Sequence, residues 1–396
     1  GKGPGKLDTL WEIVVEPPSA SPIYSDWRSD ASLGDPVTPP VIAGGSVYVS
    51  VPDRHQVRAF EARTGQARWS FTAGARVDNP PTLWKGWCVF GSRDGYVYCL
   101  NADTGALAWR FEAAPLDRRI VAFGQVESAW PVPGSVLVDE SGTAFFSAGR
   151  SIRSDGGIFL YSVDVATGAL KWKTNIPGNL TVNSEKLGRG YTPLVDAGEA
   201  ISAGTWGVSK KDGSFIKSMG ASALAGSQMG ISDGSWRRLN SPLRKSQHAW
   251  FLGGRQARGI VMAFSEASLC GYRETKYTGG RGDIRIVKSE LFCSPLGPGG
   301  AVAKEGGWKM PIEAPAQFES AAIGGDAFFT AGPLDGWTPK EAVLWRVSVA
   351  DGKKLAELKL PCPPVFDGLA VAHGRLFVSF QDGRLACLGD AAEKGE

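Results

Sequence analysis

Histidine, paired cysteine and long apolar runs are all scarce in this chain, and each scarcity excludes a class of function. Only His55, His248 and His373 occur in 396 residues. None has a nucleophile or second base beside it in sequence, so no hydrolytic constellation shows locally. The six cysteines stand at 88, 99, 270, 293, 362 and 387, without a CxxC pair. That excludes zinc-ribbon spacing, and no metal site is expected. No run of 18 apolar residues occurs, so no membrane-spanning helix is expected. No block of five Lys or Arg stands out, and the net charge is only +3; a nucleic-acid partner is not expected. The chain opens on Gly1-Lys2-Gly3 with neither an initiator Met nor a signal peptide, which reads as a mature or excised segment. Helical periodicity never survives two turns, and 52 Gly with 25 Pro interrupt almost every ten residues. What remains is an all-β chain of many short strands.

What is present is a repeat. Asn101-Ala102-Asp103-Thr104-Gly105 is followed four residues later by Trp109, and the same spacing links Gly65 to Trp69 and Gly168 to Trp172. Alternating apolar runs precede each copy, at 57–60, 96–100 and 158–163. The pattern reads as strand, Thr-Gly turn, strand, with glycine supplying a positive φ. A unit recurring every 40–50 residues or so signifies a propeller or solenoid. Trp69, Trp109 and Trp172 are then wedges stacked between neighbouring units.

Units are expected at 37–71 and 78–111, a third closing at Trp172, and weaker ones at 192–213, 220–253 and 258–312. The sixth is read with separate strands at 284–287 and 290–293. Unit seven spans 318–360 with Ala356 at the tryptophan position, and unit eight, 363–390, lacks an outer strand. Residues 7–15 fit that vacancy, with Trp11 at the tryptophan position, because a closed ring leaves no free edge. The expectation is one propeller domain over 1–396, with four-stranded blades across 37–390. Eight blades are expected, with seven as the alternative.

From Gly65 to Gly105 is 40 residues, but from Gly105 to Gly168 is 63. The surplus lies mostly in 112–130, and loops longer than the scaffold needs are where function concentrates. Arg118 and Arg119 offer planar donors to an anionic group. Gln125 and Glu127 add polar reach, and Trp130 adds a stacking face. The structural alternative is that Glu127 pairs with Arg118 or Arg119 and pins the loop. Cys88 and Cys99 stand on two arms of one hairpin, as neighbours or as small apolar strand residues. Trp84, Trp87, Trp206, Trp236, Trp250, Trp308 and Trp337 have no repeat role and are free to stack on sugar rings or anchor a partner. Arg281-Gly282-Asp283 reads as a turn, and the sequon at Asn179 as loop.

The run Gly95-Tyr96-Val97-Tyr98-Cys99-Leu100 with Asp103-Thr104-Gly105 and Trp109 resembles the PQQ-like (pyrroloquinoline-quinone-type) repeats of bacterial β-propellers; Gly383 to Leu388 matches the strand half. The resemblance implies kinship with two kinds of protein: a scaffold lipoprotein of the outer-membrane barrel-assembly machinery, and quinoprotein alcohol dehydrogenases. Residues 117–131 are similar to a subgroup in large secreted bacterial proteins. Catalytic members carry adjacent cysteines against the quinone and an acidic Ca²⁺ site. No adjacent cysteines occur here. The implied reading is a non-catalytic binding or assembly module outside the cytoplasm. It has no cofactor, its partner is a protein or an anionic polysaccharide, and it stands alone or within a larger assembly. The alternative is an enzyme on the same scaffold, oxidising an alcohol with quinone or acting on carbohydrate.

Overall fold

The computed structural model describes residues 2–17, 35–122, 124–151, 154–176, 194–196, 198–203, 206–216, 230–232, 248–252, 255–259, 261–278, 284–297, 302–303, 305–312, 318–333 and 341–391. Strand β1 is Asp8–Val14. The first sheet holds β2 (Val41–Ala43), β3 (Ser46–Val51), β4 (Gln56–Glu61) and β5 (Ala67–Thr72). The second holds β6 (Thr82–Trp84), β7 (Trp87–Gly91), β8 (Tyr96–Asn101) and β9 (Leu107–Glu112). A separate hairpin follows, β10 (Arg119–Ala122) with β11 (Gln125–Ser128). Then come β12 (Leu137–Val138), β13 (Thr143–Ala148), β14 (Ile158–Asp164) and β15 (Leu170–Ile176) as the third sheet. The fourth is β16 (Val195–Asp196), β17 (Ala200–Ala203), β18 (Trp206–Ser209) and β19 (Phe215–Ile216).

Strand β20 (Gly230–Ser232) precedes a hairpin of β21 (His248–Leu252) and β22 (Arg255–Gly259). A further sheet holds β23 (Val261–Phe264), β24 (Ser268–Thr278), β25 (Ile284–Pro295) and β26 (Trp308–Ile312). Next is the sheet of β27 (Ser320–Gly324), β28 (Ala327–Pro333), β29 (Ala342–Ser348) and β30 (Lys354–Leu360). The last holds β31 (Pro364–Ala372), β32 (Arg375–Phe380) and β33 (Arg384–Gly389), and β1 pairs antiparallel with β33 as its fourth strand. Seven four-stranded meanders thus stand among the described residues, the blades of an all-β propeller.

The strands expected at 284–287 and 290–293 are one strand, β25. The outer strand of that sheet is β26, after a longer connection. Residue contacts divide the chain into two compact units, Gly1–Ser19 with Leu243–Glu396, and Ala20–Pro242. Trp27, Asn179, Lys217, Trp236, Arg281-Gly282-Asp283 and Trp337 lie outside the described residues.

The repeat has a specific physical basis. The Trp69 indole donates Nε1–H to the Ala102 carbonyl at 2.8 Å, Trp109 to Val165 at 2.9 Å, Trp172 to Lys210 at 2.8 Å and Trp308 to Val349 at 2.7 Å. Each acceptor lies three residues before the turn glycine of the next sheet: Gly105, Gly168, Gly213 and Gly352. A Cβ on Gly105 would sit 2.6 Å from Trp69 Cδ2, and one on Gly168 2.8 Å from Trp109 Cδ2. Glycine is therefore required twice, by its positive φ and by an indole lying flat against it. Trp308, unassigned by sequence spacing, fills this same role.

A bulge recurs one residue before this position, leaving Arg68, Ala108, Lys171 and Leu10 unpaired before Trp69, Trp109, Trp172 and Trp11. The bulge re-aims the indole toward the neighbouring sheet. Small residues oppose the tryptophans: Ala59, Cys99, Ser162 and Cys387. In the β27–β30 sheet the sizes are exchanged, with Ala356 opposite Arg346.

Candidate functional site

In each meander the second-to-third-strand connection leaves at the same end as the connection to the next sheet, because neighbouring strands run antiparallel. Within residues 20–242 that end gathers the 3-10 turn Pro52–Arg54, residues 73–81, the Arg93-Asp94-Gly95 turn, the 113–136 insertion and residues 149–157. The insertion is not plain loop. It rises as the β10–β11 hairpin, pairing Arg119 with Ser128, Ile120 with Glu127, Val121 with Val126 and Ala122 with Gln125.

Its root is built by packing. Ala114, Ala129 and Trp130 form a small buried cluster with Ile120 and Phe159 against it. Trp130 is buried and donates Nε1–H to the Asp155 carbonyl at 2.6 Å, so its ring is part of the root. The Ser128 amide donates to the Arg93 carbonyl at 2.7 Å. Gly95 adopts φ 92°, and a Cβ there would lie 2.9 Å from Ser128 Oγ. The turn of the second sheet thus accepts the insertion only as glycine.

Charge then locks the root. Asp53 pairs with Arg76, Arg76 with Asp78 at 3.1 Å, Asp78 with Arg93, Arg93 with Glu127 at 3.1 Å, and Glu127 with Arg150. Acid and base alternate, so the chain of six is neutral along its length. The Glu127 side chain is 2% exposed. This corrects the pairing expected from sequence, because Glu127 meets Arg93 and Arg150 rather than Arg118 or Arg119. Burial pushes the Asp78 carboxyl up, but the Arg93 and Arg76 guanidiniums outweigh it and hold it below its ordinary value.

The hairpin's outer parts differ. Leu116, Val121 and Val126 are 65%, 75% and 57% exposed. Arg118 donates to Asp155 Oδ1 at 3.0 Å and Arg119 to Asp117 Oδ1 at 3.0 Å, both at the surface. The two arginines are thus neutralised locally. Gln125 meets His55 Nε2 through Oε1 at 3.0 Å and Asp53 Oδ1 through Nε2 at 3.4 Å. Sequence reasoning missed Arg76, Asp78, Arg93 and Arg150, which come from three separate connections and share no local motif.

The cysteines fall into two groups. Cys270 and Cys293 face one another across β24 and β25 and form a disulfide. Cys88, Cys99, Cys362 and Cys387 are free thiols. Burial pushes the Cys99 and Cys387 thiols up to about 12. Among the described residues no three His, Cys, Asp or Glu side chains stand close enough to hold a metal ion, and no helix is long and apolar enough to cross a membrane.

Comparison with known proteins gives two lines of kinship. Quinohemoprotein alcohol dehydrogenase ADH-IIG of Pseudomonas putida is 32% identical over 161 residues, 35% of this chain and 22% of that protein. The dehydrogenase subunit of the Acetobacter aceti quinone alcohol dehydrogenase is 25% identical over 162 residues, 38% of this chain and 21% of that one. The chain thus spans about a fifth of the length of these relatives. Among solved structures, BamB from Moraxella catarrhalis aligns over 97% of this chain and 98% of its own, at 11% identity and a TM-score of 0.40. Quinohemoprotein alcohol dehydrogenase ADHIIG from Pseudomonas putida HK5 aligns over 97% and 76%, at 11% identity and a TM-score of 0.52, a likeness of fold. A family profile matches residues 9–211, from β1 into the fourth sheet. That is more than half of the chain, which therefore belongs to the PQQ-like repeat propeller family described as outer membrane protein assembly factor BamB.

Proposed function

We propose that the chain is a non-catalytic, eight-bladed binding module that assembles with a protein partner outside the cytoplasm and docks it on the β10–β11 hairpin. The observation that carries this reading is the exposed apolar trio Leu116, Val121 and Val126 on an insertion whose root is fixed by Glu127 and Trp130. Val121 and Val126 are directly opposed, exposed apolar side chains that stand together mark interaction surfaces, and a rigid root lowers the entropy lost on docking. The Arg118 and Arg119 ion pairs are exposed and therefore weak, so a partner carboxylate can displace either aspartate. The family description, an assembly factor for outer membrane proteins, supports a protein partner. The Cys270–Cys293 disulfide supports an oxidising compartment. The test is a photo-crosslinking residue at position 121 or 126, with position 355 on β30 as control, in cells that make the protein. A discrete protein adduct from 121 and 126 alone is expected; adducts no stronger than the control reject the reading.

The dehydrogenase relatives favour a second reading, quinone-dependent alcohol oxidation. The residues present do not fit that group. The sequence has no adjacent cysteines, and the described residues hold no acidic cluster for its Ca²⁺. Dye reduction with an alcohol, on addition of pyrroloquinoline quinone and Ca²⁺, would replace the binding reading with this one.

A further inference from the structure

We propose that the turn between β6 and β7 is a glycan platform, taking a carboxylate-bearing polysaccharide between Trp84, Lys85 and Trp87. It lies on the first-to-second-strand turn, at the end of the second sheet opposite the β10–β11 connection, and stands independently of the docking proposal. In three other sheets the pair closing the same turn is small or carries a single long side chain: Ala43 with Ser46, Gly324 with Ala327, and Ala372 with Arg375. In the second sheet it is Trp84 with Trp87. Directly opposed residues of an antiparallel pair project from the same face, so two indoles share one surface. Both are half-buried, packed on one side against the core between the second and third sheets. The third sheet makes room for them, since a Cβ on Gly142 would meet Trp84 Cη2 at 2.7 Å.

Their donors are unspent. Trp69, Trp109, Trp130, Trp172 and Trp308 each give Nε1–H to a backbone carbonyl. Trp84 and Trp87 donate to no group among the described residues, and the exposed Lys85 has no carboxylate partner there. The Lys85 ammonium lies 4.7 Å from the Trp84 ring centroid. Its backbone is left-handed, as is that of His373 in the equivalent turn of the last sheet. Lys85 has φ 43° and Gly86 φ 85°, a two-residue turn with both central residues left-handed. Asn-Gly suits that turn, whereas lysine is strained in it. Indole faces stack on the C–H face of a sugar ring, indole N–H groups donate to hydroxyls, and an ammonium pairs with a carboxylate. A uronic-acid unit combines the C–H face, the hydroxyls and the carboxylate in one residue.

The test is retardation of the full chain in native gels containing alginate, dextran or polyglutamate, with a thermal melt for every variant. The wild type should be retarded by alginate, less by dextran and not by polyglutamate, which has no ring for the indoles. Lys85→Asn should melt at or above the wild type, because Asn-Gly is the preferred pair in this turn. It should nevertheless bind alginate about fivefold more weakly, through loss of one charge contact. Trp87→Ala should abolish retardation. Should that variant fail to fold, Lys85→Asn decides the matter, since a merely structural lysine cannot yield a firmer fold and weaker binding together. The proposal is overturned if alginate leaves the wild type unretarded, if polyglutamate retards it as strongly, or if Lys85→Asn binds as the wild type does.

Discussion

Residues of like type do opposite work here according to depth. Glu127 is buried between Arg93 and Arg150, and removing one partner from a buried ionic group leaves the others uncompensated. Glu127→Ala should therefore cost about 3–5 kcal/mol in chemical denaturation. Arg118→Ala breaks an exposed pair with Asp155 and should cost at most about 1 kcal/mol. Equal effects would mean that the six-membered chain carries no special weight. The pH response has a definite sign. Asp78 is held below its ordinary 3.8 chiefly by Arg93 and Arg76, against its burial. A depressed carboxylate adds stability that is complete above its unfolded value and is lost as pH falls through its folded value. The melting temperature should thus be level above about pH 5 and fall below the ordinary carboxylate range. A fall that is already under way at neutral pH would contradict this.

At the scale of elements, the N-terminal strand is a structural closure. Beyond the β1–β33 ladder, Glu12 pairs with Arg384 at 2.9 Å and the Val15 amide donates to the Gly383 carbonyl at 3.0 Å. Deleting residues 1–16 would bare β33 as an edge and remove Trp11, whose ring lies 6.1 Å from Phe377. Lower stability and aggregation are expected, and an unchanged melting temperature would refute the closing role. The disulfide joins β24 to β25 across a sequence separation of 23 residues. Replacing both cysteines by alanine should cost about 3 kcal/mol, measurable by denaturation with and without reductant. Elements with a short Thr-Gly turn were legible in sequence, since one glycine and one tryptophan mark turn, bulge and stacking at once. β26 was not, because its connection from β25 is longer and displaces Trp308 from the spacing. Its partner Gly352 was visible, and a turn glycine implies a tryptophan from the sheet before it.

For the whole molecule, the division of labour between stacked sheets and insertion was half legible. The surplus length between Gly105 and Gly168 located the insertion, on which Arg118 and Arg119 are exposed. The buried roles of Glu127 and Trp130 were not visible, because their partners Arg93, Arg150 and Asp155 lie on other connections. Burial is a property of tertiary contacts, which polarity along a sequence does not record. If stability resides in the sheets and docking in the hairpin tip, the two must separate. Ile120 and Glu127 are directly opposed, so replacing residues 121–126 by Asn-Gly should close a two-residue hairpin while keeping Glu127 in its ionic chain. The shortened protein loses Val121, Val126 and the Gln125 contacts to His55 and Asp53, all of them exposed or half-exposed. Its melting temperature should stay within about 2 °C of the wild type, while crosslinking to the protein partner disappears. A large drop in melting temperature would make the hairpin tip part of the fold. Undiminished crosslinking, read from a probe at position 116, would place the docking surface elsewhere.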